Sequence, residues 1–198
     1  MDYAAREKWD ERYATQEMVF GAAPDPFLVE QVGDLEPGSA LCLAAGEGRN
    51  AVYLAQRGYD VTALDISARG LEKGQLLAVE RGVEITTVHA DAMEYAPGRG
   101  SYDLVISIFF LERALFPGIV QALKPGGRLL VQTYSREQLR FGWGPSNPDF
   151  LLGPNELLET FKGFRIRYYA EVIEEREEGR QAALVRLVVE NQPVAQSV

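Results

Sequence analysis

The turn Gly46-Glu47-Gly48-Arg49-Asn50-Ala51 has the spacing G-x-G-x-x-A and follows the apolar run ALCLAA. A turn of this kind brings backbone close to a ligand at the start of a helix, although short glycine patterns also occur in plain tight turns. Two carboxylates add chemistry to it. Asp65 ends the next apolar run, 19 residues beyond Gly46, where a sheet of alternating strands and helices places the carboxylate that accepts both hydroxyls of a ribose. Its structural alternative is a helix N-cap, because Ser67 and a helical pattern follow. Asp91 ends the run after that and reaches the same crevice, so three successive strand ends converge on one site.

The charge of the turn bears on the ligand. A dinucleotide would set its pyrophosphate against Glu47, with only Arg49 to offset the repulsion. S-adenosylmethionine carries no phosphate, and its ammonium and sulfonium are compatible with an acidic loop. Methyl transfer from a sulfonium is an in-line displacement of an already activated group, so positioning and desolvation supply most of the rate and no base is needed for a soft or ionised nucleophile. The chain offers few bases: His89 is the one histidine, and a structural role beside Asp91 is favoured for it. No catalytic residue is assigned. Phe109, Phe110 and Arg113 follow one predicted strand, Tyr134 ends another, and the loop FGWGPSNPDF carries Trp143. These are candidate acceptor contacts, with core or lid packing as the alternative for each. Glu156 and Glu159 read as the exposed face of a short helix and Cys42 as a small buried hydrophobe. No metal-ligand cluster is visible, and no metal is expected.

The elements that position these residues alternate. The opening MDYAAREKWDERYATQ predicts a helix, the breaker GAAPDP a loop, and FLVEQVGDL a second short helix. Strands follow at ALCLAA, YDVTALD, VEITTVHAD, SYDLVISIFF and RLLVQTY. Helices lie between them at Asn50 to Arg57, SARGLEKGQLLAVERG and ALFPGIVQAL, and KPGG turns the chain into the fifth strand. After the short helix of GPNELLETFKG, FRIRYYAEVIEE and QAALVRLVVEN form a hairpin, with EEREEGR as its solvated turn. The fold class is therefore α/β: a Rossmann-like open sheet of seven strands, mostly parallel, with helices on both faces and a C-terminal antiparallel hairpin. A length of 198 residues, 46% of them hydrophobic, suits a single domain, with a helical lid over 1–37, a cofactor-binding core over 38–134, and a loop, helix and hairpin over 135–198. One cysteine rules out a disulfide framework within the chain. A net charge of −9 and a pI near 4.8 argue against nucleic acid. With no signal peptide and no apolar run long enough to span a bilayer, a soluble cytoplasmic protein is expected. The oligomeric state is not legible.

The motifs, in their order, resemble those of class I S-adenosylmethionine-dependent methyltransferases: AAGEGRN the first, VTALDIS the second, HADAMEY the third, SYDLVIS the fourth and LKPGGRLLVQT the fifth. Outside them, WDERYA with FGAAPDPFL and the late LLGPNELLETFKGFRIRYYAE resemble the tellurite-resistance-type group of small-molecule methyltransferases. The resemblance implies S-adenosylmethionine as cofactor and a small-molecule methyl acceptor. It places Ala44, Ala45, Gly46 and Gly48 around the methionine part, Asp65 on the ribose, Ile66 against the adenine, Asp91 and Ala92 at the adenine edge, and Ser107 and Ile108 beside the sulfonium. It also puts Trp9, Arg12 and Tyr13 over the cofactor as a lid, with Arg12 facing the methionine carboxylate. Two positions depart from the family: Cys42 where an acid is usual and Ala44 where glycine is usual, the latter tolerable if the backbone keeps φ below zero. The functions these features allow are methyl transfer, a non-catalytic cofactor-binding scaffold with a decayed first motif, and, less favoured, a nicotinamide-dependent oxidoreductase.

Overall fold

The computed structural model describes residues 2–176 and 179–193. Helices α1 (Tyr3–Arg12) and α2 (Pro26–Val32) lead into β1 (Ser39–Leu43), α3 (Arg49–Gln56), β2 (Asp60–Asp65), α4 (Ala68–Glu80), β3 (Thr86–His89) and β4 (Tyr102–Ile108). The chain continues through α5 (Phe116–Ala122), β5 (Leu123–Tyr134), α6 (Glu156–Thr160), β6 (Phe164–Glu175) and β7 (Gln181–Pro193). The seven strands form one sheet in the order β3-β2-β1-β4-β5-β7-β6. Pairing is parallel from β3 to β5, and β7 runs antiparallel to both β5 and β6.

Side-chain alternation along the strands divides the core into two layers. Leu41 and Leu43 of β1, Leu129 and Val131 of β5 and Val185, Leu187 and Val189 of β7 pack with Phe116 and Ile119 of α5 and Leu157 of α6. The intervening Ala40, Cys42, Leu130 and Val188 face the other layer, with Phe27, Leu28 and Val32 of α2 and Ala51 and Leu54 of α3. Cys42 is thus fully buried among apolar groups, and that burial pushes its thiol pKa up.

Three local predictions need correction. Strand β3 is shorter than the predicted VEITTVHAD, because the Val83 N–H bonds to the Ala78 carbonyl at the end of α4 and pairing with β2 starts only at Thr86. KPGG is not a turn ahead of β5 but an interruption within it: Tyr102 pairs with Leu123 and Leu104 with Arg128, so the intervening residues bulge out, with Gly126 at φ 79°. The bulge is tied down by Lys124 Nζ, 2.7 Å from the Asp103 carboxylate. The predicted solvated turn EEREEGR holds Glu177 and Glu178, which lie outside the described residues, whereas Glu174 turns back to pair with Arg186 and Arg176.

Candidate functional site

Between β1 and β4 the strand order reverses, and in such sheets ligands lie beyond the carboxyl ends of the strands at that point. A cavity of about 330 Å³ opens there. Its floor comes from the ends of β1, β2 and β4 (Ala44, Ala45, Leu64, Asp65, Ile108), and its roof from the N-terminal segment through Trp9, Tyr13 and Phe20.

The glycine turn is folded by its neighbours. Ala45 N–H donates to Leu64 O at 2.9 Å, which pins the turn to β2. Gly46 N–H donates to Asp65 Oδ2 at 2.7 Å, and Ser67 N–H to Oδ1 at 2.8 Å. The N-cap of α4 is Ser67, whose hydroxyl accepts from Gly70 N–H, so Asp65 is not the capping residue. Each carboxylate oxygen keeps further lone-pair capacity after one such bond. Asp65 is 6% exposed, and burial raises its pKa against the opposing pull of the Ser67, Gly46 and Ile66 N–H groups. Asp91, across the cavity, accepts from Met93 N–H and Asp2 N–H, which hold its carboxyl below the ordinary range. Burial, and then the carboxylates of Asp65 and Glu47, push the Tyr13 phenol pKa up, so it stays neutral.

Glu47 behaves differently from its sequence reading. Its carboxylate accepts from Val19 N–H (3.0 Å) and Phe20 N–H (3.2 Å) and pairs with Lys73 Nζ at 2.8 Å. Lys73 also donates to Glu17 O and Thr15, and Arg49 donates to Phe20 O. The charge expected to repel a pyrophosphate is therefore offset by Lys73, not Arg49, and it anchors the roof. A second fastening joins α1 to α4, where Ser67 Oγ donates to Asp10 at 2.6 Å.

Two non-glycine residues on the wall hold left-handed backbone, Ala44 at φ 47° and Phe109 at φ 57°. The condition under which the sequence allowed alanine at 44, a negative φ, is not met. Strain of this kind costs on the order of 1–3 kcal/mol per residue and collects at functional sites. Among the described residues lining the cavity, Asp2, Glu47, Asp65, Asp91 and Glu112 are acidic and Arg49 alone is basic. No group of three or more His, Cys, Asp or Glu among the described residues could hold a metal ion, and no helix there is long and apolar enough to cross a membrane.

Residues 40–127 match the family model of the methyltransferase domain. That match takes in 88 of the chain's 198 residues. Over 116 residues it is 32% identical to the ubiquinone biosynthesis O-methyltransferase of Cronobacter sakazakii, an alignment taking in 56% of this chain and 48% of that protein. The chain spans about half the length of the curated relatives it matches. Among solved structures, one reported for conversion of a disulfide bond into a thioacetal group during echinomycin biosynthesis superposes with a TM-score of 0.71 at 21% identity, covering 97% of this chain and 93% of that one. TehB from Haemophilus influenzae superposes with a TM-score of 0.69 at 22% identity, covering 94% of this chain and 67% of that one. Both show the same fold.

Around the cavity the sequence-predicted residues separate into two sets. Tyr13, Ala44, Ala45, Gly46, Asp65, Ile66, Asp91, Ala92 and Ile108 line the cavity, as do Trp9, Phe109 and Phe110. The others do not. Arg12 is exposed and lies over the rings of Trp9 (5.7 Å) and Phe20 (5.0 Å), on the outside of the roof. Gly48 faces α4: a Cβ there would stand 2.7 Å from Gly74 Cα. Ser107 Oγ donates to Phe110 O. Arg113 pairs with Glu156 at 2.5 Å and donates to the Asp149 and Leu151 carbonyls, which makes it a clamp between β4 and α6. Glu156, expected on an exposed face, is that clamp's other half. Tyr134 packs against Phe109 at 5.2 Å with the rings tilted by 38°, and Trp143 lies edge-on to it at 6.1 Å, a support behind the wall. His89 contacts the Ile66 carbonyl at 3.0 Å, at the exposed rim. The sequence reading missed Phe20 and Asn50 on the wall. Asn50 stood inside the glycine motif, and Phe20 just ahead of the breaker GAAPDP.

Proposed function

We propose that the protein transfers a methyl group from S-adenosylmethionine to a small-molecule acceptor by in-line displacement. The observation that carries this reading is the lining of the cavity: five carboxylates and one guanidinium around a glycine turn braced by Asp65. A ligand with an ammonium and a sulfonium gains from that field, whereas a pyrophosphate loses. This keeps the nicotinamide reading disfavoured even though Glu47 itself is neutralised by Lys73. The residues present fit the cofactor. Asp65 offers its remaining lone pairs to the ribose hydroxyls, Ile66 and Ala92 an apolar slot beside Asp91 for the adenine, and Ala44 to Gly46 backbone for the methionine part. Arg49, in place of Arg12, is the basic group on the wall for the methionine carboxylate.

When bound, the cofactor supplies a methyl group already activated on sulfur. The chain's part is to place and enclose it. Trp9, Tyr13 and Phe20 shut out water from above, and Ile108, Phe109 and Phe110 give the acceptor an apolar approach in which a nucleophile is stripped of its hydration. The net charge of −9 favours an uncharged or cationic acceptor over nucleic acid, and the single buried cysteine accords with a reducing cytoplasm.

One observation favours a second reading, binding without turnover: Ala44 holds a left-handed conformation while carrying a methyl that glycine lacks. The experiment is release of S-adenosylhomocysteine from S-adenosylmethionine with thiols, phenols, amines and chalcogen oxyanions offered in turn. Turnover that Asp65→Ala abolishes while the fold survives supports methyl transfer. Tight binding with no turnover across all four classes supports the second reading.

A further inference from the structure

Two polar residues on neither wall of the cavity are buried as completely as any in the chain: Asp25 at 1% exposure and Gln132 at 0%. Both are fully used. Asp25 Oδ1 caps α2 at Phe27 N–H, and its Oδ2 accepts from Gln132 Nε2 at 2.8 Å. Gln132 Oε1 accepts from Arg186 Nε at 2.6 Å. Burying an amide and a carboxylate costs free energy unless every polar atom is paired, and fully paired networks of this kind fix one arrangement of the groups around them.

Both ends of the chain of contacts reach the cavity. On the cofactor side, Asp25 N–H donates to Asn50 Oδ1 at 2.8 Å, and Asn50 lines the cavity in the first turn of α3, just after the glycine turn. On the other side, Arg186 pairs with Glu174, Glu174 with Arg176, and the Arg176 guanidinium lies 5.4 Å from the centre of the Phe109 ring. The backbone of Gln132 closes the circuit, since its carbonyl accepts Phe109 N–H at 2.7 Å and so holds the residue with φ 57°. The geometry points to Gln132, with Asp25, as the positioning pair that fixes the Phe109 wall relative to the Asn50 turn, so that cofactor binding at Asn50 is felt at Phe109 and at the Tyr134 and Trp143 rings behind it. Gln132 touches no ligand and acts through its neighbours. The inference rests on the proposed cofactor reading, and its test separates the two.

Trp143 is the reporter, in a Trp9→Phe background where it is the only remaining tryptophan. S-adenosylhomocysteine is titrated calorimetrically and by Trp143 emission in parallel. With Gln132 intact, binding changes the emission. Gln132→Glu keeps the acceptor for Arg186 but sets two carboxylates against each other. It is expected to lose most of the emission response while holding affinity within about threefold. Asp25→Asn combined with Gln132→Glu exchanges the amide and the acid, restores a donor facing an acceptor and keeps the net charge, so the response returns. Should Gln132→Glu not fold, Glu174→Gln, on a partly exposed side chain, cuts the same circuit and is expected to lose the response. An unchanged response in either single variant, or a failure of the exchange to restore it, overturns the positioning role. Calorimetric binding to the Trp9→Phe chain with Gln132 unchanged, without any Trp143 response, also overturns it and leaves the cofactor reading standing. No calorimetric binding at all removes the cofactor reading and the inference with it.

Discussion

Replacing Gly48 by alanine adds one methyl group where the structure has no place for it. The backbone there has φ 79°, and the new Cβ would stand 2.7 Å from Gly74 Cα, with Gly74 C at 3.5 Å. The left-handed backbone costs an L-residue about 1–2 kcal/mol. Overpacking against backbone that cannot rotate away adds about 1–3 kcal/mol. The stiffer unfolded chain returns about 0.4–1 kcal/mol. The sum is a loss of about 3 kcal/mol, which in a chain of this length lowers the melting temperature by about 6–12 °C. Gly82→Ala is the control: φ there is 69° and nothing lies within 4 Å of the added Cβ, so only the conformational cost applies, about 1 kcal/mol or about 2–4 °C. Calorimetric melts of both variants isolate the contact as their difference. Equal melting temperatures would refute the packing of the turn on α4. A Gly48→Ala variant that melts normally but loses S-adenosylhomocysteine would place Gly48 on the cofactor, as the motif alone suggests.

Other expectations follow from the same geometry. Arg12→Ala should leave S-adenosylhomocysteine affinity within about threefold, while Arg49→Ala, which removes the one basic group among the described residues on the wall and a tie to Phe20, should weaken it about tenfold or more in calorimetric titration. Arg113→Met should cost about 1 kcal/mol of stability in denaturant melts, because its pair with Glu156 is partly exposed, and should leave cofactor affinity unchanged. The pKa of Asp65 is raised by burial, so the folded state holds that proton more tightly than the unfolded chain; the stability this lends is present at acid pH and is lost as pH rises through the raised value. Cofactor affinity should run the other way, falling as the pH is lowered and the ribose acceptor is protonated, and Asp65→Asn should flatten that profile.

The strand and helix alternation was legible because each strand carries its own apolar run and each helix its own period, and the C-terminal hairpin was legible for the same reason. The glycine turn and Asp65 were legible because their chemistry is local in sequence. What the sequence concealed depends on partners far along the chain. Glu47 reads as a charge on the turn until Val19, Phe20 and Lys73 close around it. Arg113 reads as a mouth residue until Glu156, 43 positions on, takes its guanidinium. Arg12 and Trp9 share a helix, yet the roof shows one to the cavity and the other to solvent. The positive φ at Ala44 and Phe109 carries no propensity signal, because neither residue type favours it.

The central claim is that the cavity at the ends of β1, β2 and β4 is built for a cationic adenosyl ligand. Calorimetric titration of the chain with S-adenosylmethionine, S-adenosylhomocysteine and NAD, side by side, tests it most directly. Micromolar binding of both adenosyl compounds, abolished by Asp65→Ala, with no heat from NAD, is the result the account requires. Binding of NAD, or silence from both adenosyl compounds, would contradict it.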